Sequence, residues 1–433
     1  MNTKEALEYI NNFTWSKSRP GLSRTRELLK GLGDPQNKLK FVHVAGSNGK
    51  GSTCAMIESV LRASGYITGL YPSPYIEDFK ESFQCCGENI TDDELCELTD
   101  EVRKVADRMK DHPSQFEIKT AIAFLFFLKR KCGIVVLETG MGGELDSTNV
   151  IEPPVAAVIT NIGYDHTEYL GDTLEKIASA KAGIIKKGSP VIVYDNKHEV
   201  MDVIRKACEK NGCALYGTHE SDVESIGRSL SSQSFKYKDM VLEMPLLGNN
   251  QLKNAAVALK TVEVLRNAGY NISRQSLKQG FATVKWPARF EVLSKAPLFI
   301  LDGGHNSQCA LSLVENLKAY LPDKKLTFIF GVLADKDYNE MLDIICGYAR
   351  DFICVTPENE RALKAEELCD LIGKRGLEAK CAGGAAEAVE LCISEGRDTV
   401  AFGSLYMAGE IRKAFKNVCK QGSQICSPGT ARA

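Results

Sequence analysis

The sequence predicts two successive α/β domains, each built on a mostly parallel sheet, and three observations lead to that prediction. Short apolar runs of strand length alternate with segments of helical apolar spacing through most of the 433 residues. One such run, Phe41-Val42-His43-Val44-Ala45, passes through a glycine-rich turn into a helix. After a polar stretch the alternation restarts near Ala296, which divides a chain too long for a single core. Helices of this length between strands imply right-handed crossovers and a parallel sheet covered on both faces.

Composition limits the functions available. Apolar residues make up 44% and charged residues 25%, ordinary values for a water-soluble globular protein. A net charge of -2 gives no general attraction to nucleic acid or to an anionic membrane surface. No apolar stretch approaches the length of a membrane span, and the longest, 121–128, runs straight into Lys129-Arg130-Lys131. The first residues lack the apolar core of a signal peptide, so a cytoplasmic location is expected. The 15 cysteines are scattered, many on apolar helical faces, and no Cys-x-x-Cys occurs. Free thiols behaving as small hydrophobes are expected, rather than zinc or redox chemistry.

Residues 1–40 read as helical and irregular, broken at Arg19-Pro20-Gly21-Leu22 and at Gly31-Leu32-Gly33-Asp34-Pro35. Next comes Gly46-Ser47-Asn48-Gly49-Lys50-Gly51-Ser52-Thr53, with a helix expected from Cys54. The glycines let successive backbone N–H groups turn into one hollow, and the helix N-terminus adds partial positive charge there. Lys50 can reach terminal phosphates, and Ser52 or Thr53 can offer a hydroxyl to Mg²⁺. The standard phosphate loop has a glycine where Val44 stands, and no residue like Gly51 between its lysine and its hydroxyl. A turn that bound nothing would not need the lysine.

Strand Thr68–Tyr71 leads into Pro72-Ser73-Pro74-Tyr75, whose prolines hold Ser73 either near the top of the sheet or in a plain surface turn. Thr91 and Glu94 read as a capping box for a helix over 92–110, and a second helix covers 116–127. Strand 133–138 ends in Glu138 ahead of Gly140, Gly142 and Gly143; such an acid either holds Mg²⁺ or is a solvated strand end. Strand 155–162 leads to Asp165-His166, where the histidine is either a metal ligand or structural. Thr173 starts a helix in which Lys181, among small apolar residues, either snorkels outward or has a special function.

Strand Val191–Tyr194 and helix 200–211 continue the alternation, and residues 214–247 read as an antiparallel excursion. Asn249, Asn250, Gln251 and Asn254 open a helix; such amides either cap helices or read base edges. The segment Trp286-Pro287-Ala288-Arg289-Phe290-Glu291 closes the first domain, with the join near 293–297. Beyond it, strands at 298–301, 326–331, 352–355, 378–381 and 398–402 alternate with helices. The tail from Lys420 is expected to be disordered.

Several of these segments, taken together, resemble the folylpolyglutamate synthase and dihydrofolate synthase family of the Mur-ligase superfamily. Besides the loop they are Ser73-Pro74-Tyr75, residues 138–149, 160–166 and 177–186, Trp286 through 291, Asp302-Gly303-Gly304-His305-Asn306, and Gly403-Ser404-Leu405-Tyr406. Their order and spacing are similar to the family's from about residue 40 to about residue 415. The resemblance implies a P-loop parallel-sheet ATPase domain over 1–294, followed by a smaller Rossmann-like glutamate-ligase domain over 298–433. It implies ATP held by Gly46, Ser47, Asn48, Gly49, Lys50, Gly51, Ser52 and Thr53. Asn254 would then meet adenine, Arg289 the phosphates, and Asp302 and His305 the nucleotide.

The same resemblance implies two Mg²⁺ ions, one on Ser73 and Glu138 and one on His166, Glu138 and Lys181, with Ser52 offering its hydroxyl. Lys50, Glu138, His166 and Lys181 would be the catalytic set. In the family that last lysine is often carbamylated, which turns an amine into an anionic oxygen ligand. The implied activity is ATP-dependent addition of L-glutamate to a folate through an acyl phosphate, by a monomer with small-molecule substrates only. A further activity on dihydropteroate, a move to another acid, and an ATP-driven switch without catalysis are the alternatives. The chain departs from the family at Glu81-Ser82-Phe83 (usually Glu-Arg-Ile), at Glu144 (arginine), at Ala180 (glutamate) and at Asn250 (histidine). These departures bear on the acceptor more than on ATP.

Overall fold

The computed structural model describes residues 1–13 and 21–421. The expected break at Arg19-Pro20 and the tail beyond residue 421 lie outside the described residues, while Lys420 belongs to the helix Leu405–Gln421. Packing divides the chain into two compact units, one of residues 1–224, 235–243 and 251–284, the other of 225–234, 244–250 and 285–433.

The main sheet of the first unit has eight strands: β1 (Phe41–Ala45), β2 (Thr68–Tyr71), β3 (Gln84–Cys85), β4 (Glu88–Asn89), β5 (Ile134–Glu138), β6 (Ala156–Ile159), β7 (Val191–Tyr194) and β8 (Leu215–Thr218). Their order is β4-β3-β2-β5-β1-β6-β7-β8. The six strands from β2 to β8 in that order run parallel, and β3 and β4 add a short antiparallel hairpin at one edge. β1 and β5 are buried along their whole length, which is why they read as unbroken apolar runs rather than alternating ones. The helix Gln115–Lys129 is buried almost all round, with Phe124, Phe126 and Phe127 fully inside. Each such ring contributes roughly 1.5–3 kcal/mol by leaving water.

The capping box forms as expected. Thr91 Oγ1 accepts from the Glu94 N–H at 3.3 Å, and Glu94 Oε2 accepts from the Thr91 N–H at 3.1 Å. That helix, Asp92–Ala106, stops short of residue 110, in a polar run toward Pro113 that cannot continue it. Residues 214–247 are not antiparallel throughout. β8 lies parallel to β7 and is half exposed at the sheet edge, so its polar side disguised a strand of the main sheet. Only β9 (Glu224–Arg228), β10 (Gln233–Tyr237) and β11 (Met240–Met244) form a separate three-stranded sheet.

The second unit is built on β12 (Glu291–Lys295), β13 (Leu298–Asp302), β14 (Leu326–Phe330), β15 (Ala349–Cys354), β16 (Ala379–Cys381) and β17 (Thr399–Phe402), ordered β12-β13-β17-β14-β15-β16. All are parallel except β12, which pairs antiparallel with β13. With β12 on this sheet, the described residues from Lys285 group with the second unit. Phe328, Phe330, Phe352 and Phe402 centre its core.

Every described cysteine is a free thiol. Two pairs far apart in sequence nevertheless meet, Cys85 with Cys132 (Sγ–Sγ 3.7 Å) and Cys369 with Cys381 (3.0 Å). No helix among the described residues is long and apolar enough to cross a membrane.

Candidate active site

β1 ends just before Gly46, where φ is 152° and an added Cβ would lie 1.8 Å from Thr160 Oγ1, so only glycine fits. The Thr160 hydroxyl donates to the Asn48 carbonyl at 2.9 Å, and the Ser47 N–H donates to the Asn161 carbonyl at 2.8 Å. The Ser47 hydroxyl donates to the Gly163 carbonyl (2.8 Å) and accepts from the Gly163 N–H (3.1 Å). The chain leaving β6 thus clamps the first half of the loop. Gly49, at φ 89°, precedes the helix Lys50–Ala63, so Lys50, Gly51, Ser52 and Thr53 form its first turn. The expected start at Cys54 came from weak helix formers in that turn, Gly, Ser and Thr, which mask a helix in sequence. An added Cβ at Gly49 would stand 2.3 Å from Asn254 Oδ1, so Asn254 rests directly on the loop. Its amide donates to Gln251 Oε1 at 3.1 Å.

Lys50 folds back over the loop, its ammonium donating to the Gly46 carbonyl at 3.1 Å and the Ser47 carbonyl at 3.3 Å. Lys181, from the helix Leu174–Ala182, donates to the same Gly46 carbonyl at 2.7 Å. Lys181 is only 2% exposed, so it does not snorkel. Burial, and then the Lys50 charge, push its pKa down to about 7. Two amines on one carbonyl in a dry site favour the arrival of an anion.

Close backbone packing positions Lys181. An added Cβ at Gly143 would come within 2.8 Å of the Lys181 carbonyl, and one at Gly183 within 2.3 Å of Glu144 Cβ. The Glu144 N–H donates to the Ala180 carbonyl at 2.8 Å, and the Asn149 amide donates to the Glu144 and Gly183 carbonyls, each at 3.0 Å. The glycine-rich turn after β5 is in turn organised by Asp146. Its carboxylate accepts from the N–H groups of Gly140 (2.9 Å), Met141 (3.0 Å) and Thr148 (3.0 Å), and from the Thr148 hydroxyl (2.6 Å). Burial raises the Asp146 pKa, and these hydrogen bonds oppose the rise. Behind them, fully buried His43 meets Thr148 Oγ1 through Nε2 at 2.8 Å.

Glu138, at the end of β5, is buried and accepts from the Ser73 N–H at 3.1 Å. That contact places Ser73 at the top of the sheet and shows that Glu138 is not a solvated strand end. His166 has φ 49°, precedes the short helix Thr167–Leu170, and lies 3.7 Å from Asp165 Oδ2 with its side chain 40% exposed. Among the described residues no group of three or more His, Cys, Asp or Glu side chains is arranged to hold a metal ion. The donors still suit a hard cation in kind. Glu138 and Ser73 lie together, and the Thr53 hydroxyl on the loop is buried without a partner. Mg²⁺ takes most of its ligands from water and phosphate oxygens, so few protein ligands suffice.

The second unit carries its own cluster. Asp302, at the end of β13, accepts from the Phe290 N–H (3.0 Å) and the Gly304 N–H (2.8 Å). Burial raises its pKa, and the Arg289 charge holds it down. Arg289 stands between Ala288 (φ 56°) and Phe290 (φ 45°), both in the left-handed region that non-glycine residues avoid. Glu291 braces this bend, accepting from the Ala288 N–H at 2.9 Å and pairing with Arg412 at 3.0 Å. His305 lies on the same turn, with Nδ1 3.4 Å from the Gly303 carbonyl.

The structure therefore brings together Lys50, Lys181 and the loop, Ser73 and Glu138, and Asn254 and Gly49. Arg289, Asp302 and His305 gather separately in the second unit. Sequence reasoning gave no role to Thr160, Asp146 or His43. All three stood inside quoted segments, but no spacing rule links them to the groups they hold.

Residues 44–262 match the Mur ligase middle domain, and residues 288–404 match the Mur ligase glutamate ligase domain. The chain is 34% identical over 427 residues to the dihydrofolate synthase/folylpolyglutamate synthase of Bacillus subtilis, covering 95% of this chain and 99% of that protein. It is also 34% identical over 431 residues to the folylpolyglutamate synthase of Lacticaseibacillus casei, covering 96% and 99%. A solved structure described as an FPGS–AMPPCP–folate complex superposes with a TM-score of 0.82 at 32% identity, covering 95% of this chain and 99% of that one. Likeness that runs the length of both partners, over and above the loop, decides the matter: the chain belongs to the folylpolyglutamate synthase/dihydrofolate synthase family of Mur ligases.

Proposed function

We propose that the protein is an ATP-dependent amide ligase that joins L-glutamate to a folate and releases ADP and phosphate. The observation that carries this reading is the convergence of Lys50 and Lys181 on the Gly46 carbonyl, at the open N-terminus of a helix. Support for the acceptor comes from the two named relatives and from the AMPPCP–folate complex among the structural neighbours.

A carboxylate is a poor electrophile, so the γ-phosphoryl group of ATP first converts it to an acyl phosphate. The glutamate amine then attacks the activated carbon, a tetrahedral intermediate forms, and phosphate leaves. In this reading Gly46 to Thr53 cradle the triphosphate through the free N–H groups of the first helical turn. Lys50 exchanges the Gly46 and Ser47 carbonyls for phosphate oxygens. Asn254 meets the adenine, and Arg289, Asp302 and His305 bind the nucleotide from the second unit's sequence. Ser52, Ser73, Glu138, His166 and Lys181 are the residues to hold Mg²⁺, which when bound offsets charge on the phosphoryl oxygens. Lys181 is suited to carbamylation because only a neutral amine takes up CO₂, and a pKa near 7 supplies one at neutral pH. Burial of Glu138 and Lys181 keeps bulk water from the activated acid.

Dihydropteroate as an additional acceptor is a second reading, favoured by the double name of the B. subtilis relative. Phosphate release, measured with ATP, Mg²⁺ and glutamate plus tetrahydrofolate, dihydropteroate or no acceptor, tests both. Release that needs both glutamate and tetrahydrofolate is expected, and release with dihydropteroate would add the second activity. ATP hydrolysis indifferent to glutamate and acceptor would replace the ligase with a nucleotide switch.

A further inference from the structure

One buried cation has no part in the reading above. Lys119, on the helix Gln115–Lys129, is 6% exposed. Its ammonium lies over four aromatic rings, 5.2 Å from the Tyr71 centroid, 5.8 Å from Phe116 and 6.0 Å from Tyr75 and from Phe79. Among the described residues it has neither an ion pair nor a hydrogen bond. Burial lowers its pKa to about 8, with Glu138 and Asp146 opposing, so the group is mostly charged at neutral pH. Ring faces return only part of what a desolvated ammonium loses, and a buried charge without a counterion is rarely kept for stability.

A second unmet group belongs to the turn that carries Phe79. Ser82, on the turn Phe79–Ser82 that supplies one of the rings, is fully buried with its hydroxyl unpartnered. The cage is not sealed, because Tyr75 is 43% exposed. Tyr75 belongs to the loop whose Ser73 N–H rests on Glu138, so the opening adjoins the catalytic carboxylate.

We propose that Lys119 is the anion receptor for the acceptor, taking a carboxylate of the folate while the accessible rings of the cage, Tyr75 and Phe116, face the flat part of the same molecule. This rests on the ligase reading of the site. The carboxylate that Lys119 holds is not the one that reacts, since the reacting one must meet the γ-phosphate. An acceptor that already ends in glutamate has two carboxylates and can satisfy both demands. Dihydropteroate has one, which activation consumes, so Lys119 would stay unpaired. Lys119 therefore selects glutamyl-terminated acceptors over dihydropteroate.

The test is Lys119→Met, which keeps length and removes charge, beside Lys119→Arg, in the full chain. With Lys119→Met the KM for tetrahydrofolate should rise about tenfold or more, a lost charge-assisted contact, with the KM for ATP and glutamate unchanged. Any turnover of dihydropteroate should change less than about twofold, and Lys119→Arg should recover part of the loss. Without ligand, Lys119→Met should melt no lower than wild type, while tetrahydrofolate should raise its melting temperature less than it raises that of wild type. An unchanged KM for tetrahydrofolate, or equal losses with both acceptors, would overturn the inference. So would a lower ligand-free melting temperature with the tetrahydrofolate increment intact, which would make Lys119 a packing residue. If Lys119→Met does not fold, Tyr75→Leu at the exposed rim should shift the same KM in the same direction. Wild type releasing no phosphate with any folate would instead sink the ligase reading itself.

Discussion

Each unit presents a strand, a glycine turn and a helix, yet the two turns are finished in opposite ways. After β13 the chain satisfies its own amides. Asp302 takes the Gly304 N–H, and the Asn306 side chain caps the helix Ser307–Tyr320 by accepting from the Cys309 N–H at 2.9 Å. After β1 the capping position is Gly49, which has no side chain to offer, and the nearby amines of Lys50 and Lys181 occupy a carbonyl instead. One helix N-terminus is closed by a side-chain cap, and the other has none, which in the proposed reading leaves it for an anion. Glycines make room in both turns, but the neighbouring side chains decide whether chain or ligand fills it.

The largest effect should come from removing the cation on the open side. Lys50→Ala deletes two hydrogen bonds to loop carbonyls and no core contact, so the fold should survive. Phosphate release with any acceptor should fall at least about a hundredfold, the scale of losing a preorganised charge at a transferring group. Near-normal release would break the comparison, since the open turn would then not need its lysine.

On the closed side the larger response should be stability. Asp302→Ala leaves the Phe290 and Gly304 N–H groups without their acceptor, at a cost of about 1–3 kcal/mol for each that stays buried and unpaired. Denaturant unfolding followed by hydrogen exchange in β13 and β17 would report it. Lys50→Ala, run in parallel, should leave the stability of the first unit nearly unchanged. If the two variants lost stability equally, the two turns would not differ in the way described.

The strands that matter most were legible in sequence. β1, β2 and β7 occupy the predicted residues because each apolar run is bounded by polar or conformationally special residues. What was hidden depends on partners distant in the chain. Lys181 could be read as snorkelling or special until its helix was seen packed on Gly143 and Glu144. β8 looked like part of an excursion because an edge strand is half polar, and β12 looked like an ending because its partner follows it. Glu144, a departure noted for reversing a charge, is exposed, so its carboxylate is largely screened by solvent.

The smallest expected effect separates the two units by pH. His43 lies in β1 behind the open turn, fully buried, with Nδ1 unpartnered and its pKa pushed down to about 3 by burial and then by Lys186. An unfolded histidine takes up its proton near pH 6.5. Between about 6.5 and 3 the unfolded chain therefore binds a proton that the folded chain refuses, and stability present above 6.5 drains away as pH falls. Acidification from pH 7 to 5.5 should cost the first unit about 1 kcal/mol through this residue. Asp302 works in the other direction, because its raised pKa means that the folded state binds the proton more readily as pH falls toward the ordinary carboxylate range. Hydrogen exchange read strand by strand should show protection in β1 falling on mild acidification before that in β13. His43→Gln keeps an amide for Thr148 and removes the titration, so it should flatten the β1 profile and leave β13 as it was. An unaltered β1 profile in that variant would mean that acid enters the first unit elsewhere, and the contrast would then rest on the two turns alone.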